Sequence, residues 1–366
     1  MMRANAVVIV AVLLAGCIDS GGVPFGGDTT VSTSGPRFIA AAPAGTIVFS
    51  SNRRAALQTD VETEVPDFEL YVVNPDGSEL FQITDSPGAL IEPRWSPDGN
   101  KLAFIWTLDG TNSQVWTASR DGTDLTMLRD TAGFSFTGLV WSPDGTRLAY
   151  TDNGVIHVLG LASGTDQRLV EGSWPAWSTL GDASVVVYTS GEFLGEGSRT
   201  VLRAIDPDGA NDRPILLGSG DDPSDLSNAS EASAEPGTSR IAFVSSANGY
   251  TGEASDWDEQ IYIVELIDEN PIRTTVPLLI SRSPSNDHWP PAWSRPVGTP
   301  DSACLVWTAD IASDSSGPFN GGLVLASAGD SDGTDGGVIE LTTPGVAYDW
   351  FPDWHPDATC PASSNG

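Results

Sequence analysis

Apolar residues fall along this chain in short blocks that end in an aromatic ring and are bounded by Gly, Pro, Asp and Ser. Leu102-Ala103-Phe104 and Leu148-Ala149-Tyr150 are the clearest, each following the phrase Trp-Ser-Pro-Asp-Gly at 95–99 and 141–145. Blocks this short between turn formers predict β-strands. Within the phrase, Pro presets φ at the second turn position, Asp bonds its own backbone and Gly accepts a positive φ, so each copy predicts a hairpin. Degraded copies continue the series: Ile47-Val48-Phe49, Val186-Val187-Tyr188 after Trp177-Ser178, Ile241-Ala242-Phe243 after Ala229-Ser230, and Leu305-Val306-Trp307 after Trp293-Ser294. The aromatic ends recur at roughly 40 to 65 residues, which suits one four-stranded blade per copy with variable loops.

Weaker strands recur between these blocks, as in Glu69 to Val73, the turn Asn74-Pro75-Asp76-Gly77, and Leu80 to Thr84. Val115 to Thr117, Leu125 to Leu128 and Ile261 to Val264 continue the set. The two ends of the chain are complementary. The first block lacks a preceding Trp strand, whereas Asp349-Trp350-Phe351-Pro352-Asp353-Trp354-His355-Pro356-Asp357 is a Trp strand and turn with no block after it. The expected fold is therefore an all-β, six-bladed β-propeller of four-stranded antiparallel blades. The C-terminal strand would pair with the N-terminal one and remove the sheet edges that template aggregation.

The phrase Trp-Ser-Pro-Asp-Gly-x-x-Leu-Ala-Phe/Tyr resembles the repeat of TolB-type β-propellers, over about residues 45 to 360. What the resemblance implies is the fold. A propeller is a platform for binding, scaffolding or occasional catalysis, so no role follows from it.

At the N-terminus Arg3 precedes the apolar run Ala6 to Leu14, too short to span a membrane as a helix, and Leu14-Ala15-Gly16-Cys17 follows. That order resembles the bacterial lipobox, which implies lipidation and cleavage at Cys17. The alternative is an ordinary cleaved signal with an incidental cysteine. The expected organisation is a signal peptide over 1–16, a flexible Gly/Ser/Thr/Pro-rich tether over 17–44, and the propeller over 45–366. The expected location is the bacterial cell envelope, lipid-anchored on the extracytoplasmic side. Ile18 follows the cysteine and the first acid is Asp19, which leaves the leaflet open.

Two cysteines remain, Cys304 and Cys360, in a chain expected to meet an oxidising compartment. Repeat alignment puts them on neighbouring blades at the closure seam, as a disulfide or as two separate buried thiols.

Charge narrows the partners. Against 49 acidic residues stand 17 basic ones, a net charge of −32. Nucleic acid and anionic surfaces would repel such a chain. The acids are scattered through loops, as in an acidic coat suited to a saline habitat. The loops Asp206 to Asp212 and Asp330 to Asp335 lack EF-hand spacing and align with ordinary Asp-Gly turns, so no cofactor is expected and structural Ca²⁺ is the lesser reading.

Catalysis finds little support in the motifs: there is no His-Glu-x-x-His, and the histidines are His157, His288 and His355. His157 falls within an apparent strand, where a structural role is expected. Aligned on the motif Trp, the inner strands that would line a central channel carry surplus aromatics at Trp174, Trp289 and Trp350. With Glu92, Arg94, His288, Asp349 and Asp353 these form a candidate channel-mouth pocket for a peptide segment or a sugar. The competing reading packs them between blades, as pleat alternation requires of half of every strand. The expected function is a monomeric, non-enzymatic module for binding or scaffolding, with an envelope protein or glycan as partner and the membrane held through Cys17. The alternative is a carbohydrate-active, lyase-like enzyme using the same mouth, and a purely structural envelope protein is a third possibility.

Overall fold

The computed structural model describes residues 35–53, 68–108, 112–132, 136–193, 198–216, 228–245, 260–268, 271–275, 277–280, 291–295, 303–310, 321–328, 339–343 and 347–361. All 25 elements assigned among them are strands. β1 (Ile47–Ser51), β2 (Glu69–Val73) and β3 (Phe81–Gln82) come first. β4 (Ala89–Trp95), β5 (Lys101–Thr107), β6 (Asn112–Ser119) and β7 (Thr126–Ala132) form a four-stranded sheet. So do β8 (Phe136–Trp141), β9 (Arg147–Asp152), β10 (Val155–Gly160) and β11 (Asp166–Glu171).

A nine-stranded sheet follows. It takes in β12 (Ser173–Leu180), β13 (Ala183–Phe193), β14 (Ser198–Ile205), β15 (Arg213–Leu216), β16 (Ser230–Ala234), β17 (Arg240–Ser245), β18 (Gln260–Ile267), β19 (Ile272–Thr274) and β20 (Leu278–Leu279). Its two antiparallel halves, β12 to β15 and β16 to β20, are joined by one parallel pairing of β15 with β19. β21 (Ala292–Trp293), β22 (Cys304–Asp310), β23 (Gly321–Ser327) and β24 (Ile339–Glu340) make the next four-stranded sheet. Finally β25 (Asp349–Trp354) lies antiparallel to β1, completing the order β25-β1-β2-β3. The expected pairing of the chain's two ends is thus present.

The repeated phrase works as its chemistry dictates. In the turn after β4, Gly99 N–H donates to Ser96 O at 2.8 Å, Ser96 Oγ donates to Asp98 Oδ1 at 2.6 Å, and Lys101 N–H donates to Ser96 Oγ at 2.9 Å. Ser142, Asp144 and Gly145 repeat the arrangement, with φ of 70° at Gly99 and 67° at Gly145. The serine bond holds the Asp144 carboxyl at about 2, below the usual carboxylate range.

Motif tryptophans fasten one sheet to the one before it. The indole N–H of Trp141 donates to Arg94 O at 3.1 Å, that of Trp293 to Ser233 O at 3.0 Å and that of Trp354 to Ala292 O at 3.1 Å. Each acceptor is the residue just before the corresponding position of the preceding copy. Cys304 at the start of β22 and Cys360 after β25 form a disulfide with Cα atoms 5.5 Å apart, so the closing strand is also tied covalently.

One expectation needs correction. Residues 35–44, assigned to the flexible tether, lie against the protein. Phe38 bridges Thr84 and packs 6.0 Å from Phe104, Ile39 N–H donates to Ile83 O, Ala42 N–H donates to Arg120 O, and Arg37 pairs with Asp85. The tether reading rests on the Gly, Ser, Thr and Pro content of 17–44 as a whole, which masks the apolar residues Phe38 and Ile39 near its end. A single half-buried ring and backbone bonds to neighbouring strands suffice to order it. Cys17 and the remaining tether lie outside the described residues.

Candidate functional site

Among the described residues five of the leading strands carry the same irregularity. Strands β4, β8, β12, β16 and β25 each insert a second residue opposite one residue of the next strand, a β-bulge. The register places these pairs, Glu92-Pro93, Gly138-Leu139, Trp174-Pro175, Glu231-Ala232 and Phe351-Pro352, opposite Phe104, Tyr150, Tyr188, Phe243 and Phe49. The strand-ending aromatics of the sequence pattern are therefore the residues that face the bulges. The first residue of every pair has positive φ: 51° at Glu92, 65° at Gly138, 53° at Trp174, 55° at Glu231 and 54° at Phe351. The leading strands also touch in succession, β25 to β4, β4 to β8, β8 to β12, β12 to β16, β16 to β21 and β21 back to β25, so the bulges surround one hub.

A bulge frees backbone groups from the ladder, and buried groups of that kind need partners. The residue after the aromatic supplies them. Trp174 N–H donates to Thr151 Oγ1 at 3.2 Å and Glu231 N–H donates to Thr189 Oγ1 at 3.0 Å, whereas the equivalent Thr308 Oγ1 donates to Asp349 O at 2.8 Å, ahead of the β25 bulge. At the equivalent position beside β8 the chain has Ile105, whose side chain cannot accept a hydrogen bond. There Glu92 takes over: its Oε2 accepts from Leu139 N–H at 3.0 Å, with Gly138 N–H also turned toward the carboxylate.

Glu92 is 1% exposed, and its Oε1 has no partner. Beside it Arg94 donates to Leu139 O at 3.0 Å, Pro93 O at 2.9 Å and Phe351 O at 3.3 Å, bridging β8 and β25. Asp353 Oδ2 accepts from Trp95 N–H at 2.6 Å. Burial pushes the Glu92 and Asp353 carboxyls each up to about 6, with Arg94 opposing the rise in both. Above this cluster the hub is filled, since the rings of Trp174 and Phe351 stack at 6.1 Å.

A second level lies at the start of β25. Trp350, partly buried, stacks on Phe68 at 4.9 Å and 16°, and Tyr348 adds a third ring 5.5 Å away. Beneath them Asp349, fully buried, accepts from Ser51 Oγ at 2.6 Å and pairs with Arg53. Burial raises its carboxyl while the Arg53 guanidinium opposes the rise. In an antiparallel blade the first and third connections share one end and the second and fourth the other. Phe68, just before β2, and Asp349, at the start of β25, stand at the latter end.

The structure thus separates the sequence candidates. Glu92, Arg94 and Asp353 gather at the hub, Trp174 packs there at 4% exposure, and Asp349 and Trp350 belong to the rim. Trp174 follows the packing reading of the surplus aromatics, and Trp350 alone of the described ones keeps partial exposure. His288 and Trp289 lie outside the described residues. Arg53, Phe68, Tyr348 and Phe351 escaped the sequence reading, although Phe351 shares the alignment column of Glu92 and Trp174. Among the described residues no group of three or more His, Cys, Asp or Glu is placed to hold a metal ion.

Antiparallel blades around a bulged hub define a β-propeller. Residues 48–227 match the family model for the TolB beta propeller domain. The structure resembles TolB from Acinetobacter baumannii with a TM-score of 0.58 at 17% identity, covering 85% of this chain and 66% of that one. Residues 48–227 are accordingly a propeller of the TolB type. Among curated sequences the chain is 35% identical over 83 residues to dipeptidyl-peptidase 5 of Porphyromonas endodontalis, which is 23% of this chain and 12% of that protein. It is 38% identical over 55 residues to the Tol-Pal system protein TolB of Actinobacillus pleuropneumoniae, 15% and 13% of the two. The chain thus spans a small fraction of the length of either curated relative.

Proposed function

We propose that this chain is a six-bladed, lipid-anchored propeller of the bacterial cell envelope that acts as a non-enzymatic module for binding or scaffolding. The count takes the halves of the nine-stranded sheet as two blades, each with its own bulged leading strand. The likeness to TolB proteins supports the envelope location, and the Leu14-Ala15-Gly16-Cys17 order supports the anchor.

The observation that carries the binding reading is the rim pair of Trp350 and Phe68. Trp350, left partly open to solvent over the buried ring of Phe68, offers area for a ligand to bury, while polar groups beside it orient the ligand. The ligand class is a peptide segment of an envelope protein or a glycan. The acidic surface disfavours nucleic acid. The peptidase-named relative matches over too little of its length to bring its activity here.

The test is a pull-down from native envelope with the soluble form beginning after Cys17, comparing wild type with a folded Trp289→Ala/Trp350→Ala variant. A protein or glycan captured by wild type and lost by the variant supports a site at the rim. Capture by both, or by neither, moves the search to the outer loops. Retention of a Cys17→Ser chain in the membrane fraction would remove the anchor.

A further inference from the structure

Threonine meets the need at two of the bulges, where the hydroxyls of Thr151 and Thr189 accept from the first bulged residue of the next sheet. Glu92 meets the same need beside β8 with one carboxylate oxygen, which leaves a second oxygen, Oε1, and a charge that the backbone does not require. That oxygen is buried and unpartnered. Leaving a buried acceptor unmade is costly, and leaving a buried carboxylate charged is costlier. Arg94 is the cation that opposes the rise of both Glu92 and Asp353, and its own bonds go to three carbonyls. One guanidinium thus opposes the burial of both carboxylates.

We propose that Glu92 is a proton-binding site of the hub, beside Arg94, with the proton held on its Oε1. The proton comes from solvent and no bond other than O–H forms. One proton leaves one negative charge opposite one positive charge, and it converts the orphan acceptor into a donor.

The surrounding elements add few competing charges. β1, β8, β12 and β21 carry no ionisable side chain within their ranges. β2 brings Glu69, whose carboxylate is bonded to Thr84 and Ser86, and Tyr71, whose hydroxyl donates to Gln82 Oε1. β5 contributes Lys101 at its exposed outer end, and β9 carries Arg147, Tyr150 and Asp152. β16 brings Glu231 to the hub, and β25 brings Asp349, which is neutralised by Arg53. Beyond β25, His355 engages the Gly99 carbonyl of the neighbouring turn.

Both carboxyls rise to about 6, above the unfolded values of 4.5 for Glu92 and 3.8 for Asp353. A folded state that holds the proton more tightly than the unfolded one gains stability as pH falls through about 6 and loses it as pH rises. Acidification therefore tightens the hub.

The experiment is a denaturant titration of the soluble propeller across roughly pH 5 to 8, paired with infrared difference spectra over the same range. Wild type should lose stability toward alkaline pH in this window, once the separate effect of His355 is removed by a His355→Gln background. The protonated-carboxyl C=O band should appear on acidification. In the same background Glu92→Gln, which keeps an oxygen for Leu139 N–H but cannot ionise, should flatten that dependence and abolish the band. If Glu92→Gln fails to fold, adding Ile105→Thr restores the acceptor that the other bulges use. Wild-type spectra without a protonated-carboxyl band, or a Glu92→Gln profile parallel to its background, would overturn the proposal.

Discussion

Trp174 and Phe351 stack ring to ring at 6.1 Å although β4 and β8 separate their strands around the hub. The contact is possible because each ring sits at the positive-φ position of its bulge, which turns the side chain off the alternation of a regular strand. At this level the centre of the propeller is packed aromatic core.

Trp174→Ala should accordingly cost about 3–5 kcal/mol in denaturant unfolding, the range for deleting a buried large aromatic. Trp350→Ala, at the partly open rim, should cost well under half as much. Equal losses at the two positions would place Trp350 in the core and remove the rim as a docking surface.

How much of this was legible follows from the repeats. The Trp-Ser-Pro-Asp-Gly turn and the apolar block after it are local, so hairpins, leading strands and closure by β25 could be read directly. The alignment column of Glu92, Trp174 and Phe351 was visible, but its positive φ was not, because a bulge depends on the register between two strands. The parallel pairing of β15 with β19 and the docked segment at Arg37 to Ala42 rest on long-range backbone bonds that leave no periodic trace. Glu92 looked like a pocket carboxylate because its partner, a backbone N–H of the following sheet, has no side-chain signature.

The bulge-capping threonines give a second outcome. Thr189→Val removes the acceptor for Glu231 N–H while keeping the volume, and should destabilise by about 1–3 kcal/mol as an unpaired buried donor does. Thr189→Ser should retain most of the stability. If valine and serine behave alike, the hydroxyl bond contributes nothing and shape alone matters.

The seam has a covalent element. Cys304 and Cys360 are 56 residues apart, and in the chain-entropy account a loop of that size contributes about 4 kcal/mol. Cys360→Ser, or reduction with the fold intact, should lower the unfolding midpoint, and hydrogen exchange should quicken first in β25 and β1. A midpoint that ignores reductant would show that β25 is held by its ladder with β1 and the Trp354 indole bond alone.

His355 gives the seam an acid sensitivity opposite in sign to that of the hub. Its ring is buried and meets Trp95 edge-on at 4.7 Å, Nδ1 accepts from Asp357 N–H at 3.0 Å, and Nε2 lies 3.1 Å from Gly99 O. With Nδ1 accepting, the neutral ring carries its proton on Nε2 and donates it to Gly99. Burial pushes the imidazole below its ordinary 6.5, so the unfolded chain binds the proton more tightly. The stability this ring contributes is present above 6.5 and is lost as pH falls below it. His355→Gln should flatten the acid limb of the stability profile at some cost at neutral pH, where glutamine replaces only part of the ring's packing. An unchanged acid limb would move the sensitivity to the many surface carboxylates, whose effect salt would screen whereas that of a buried imidazole would persist.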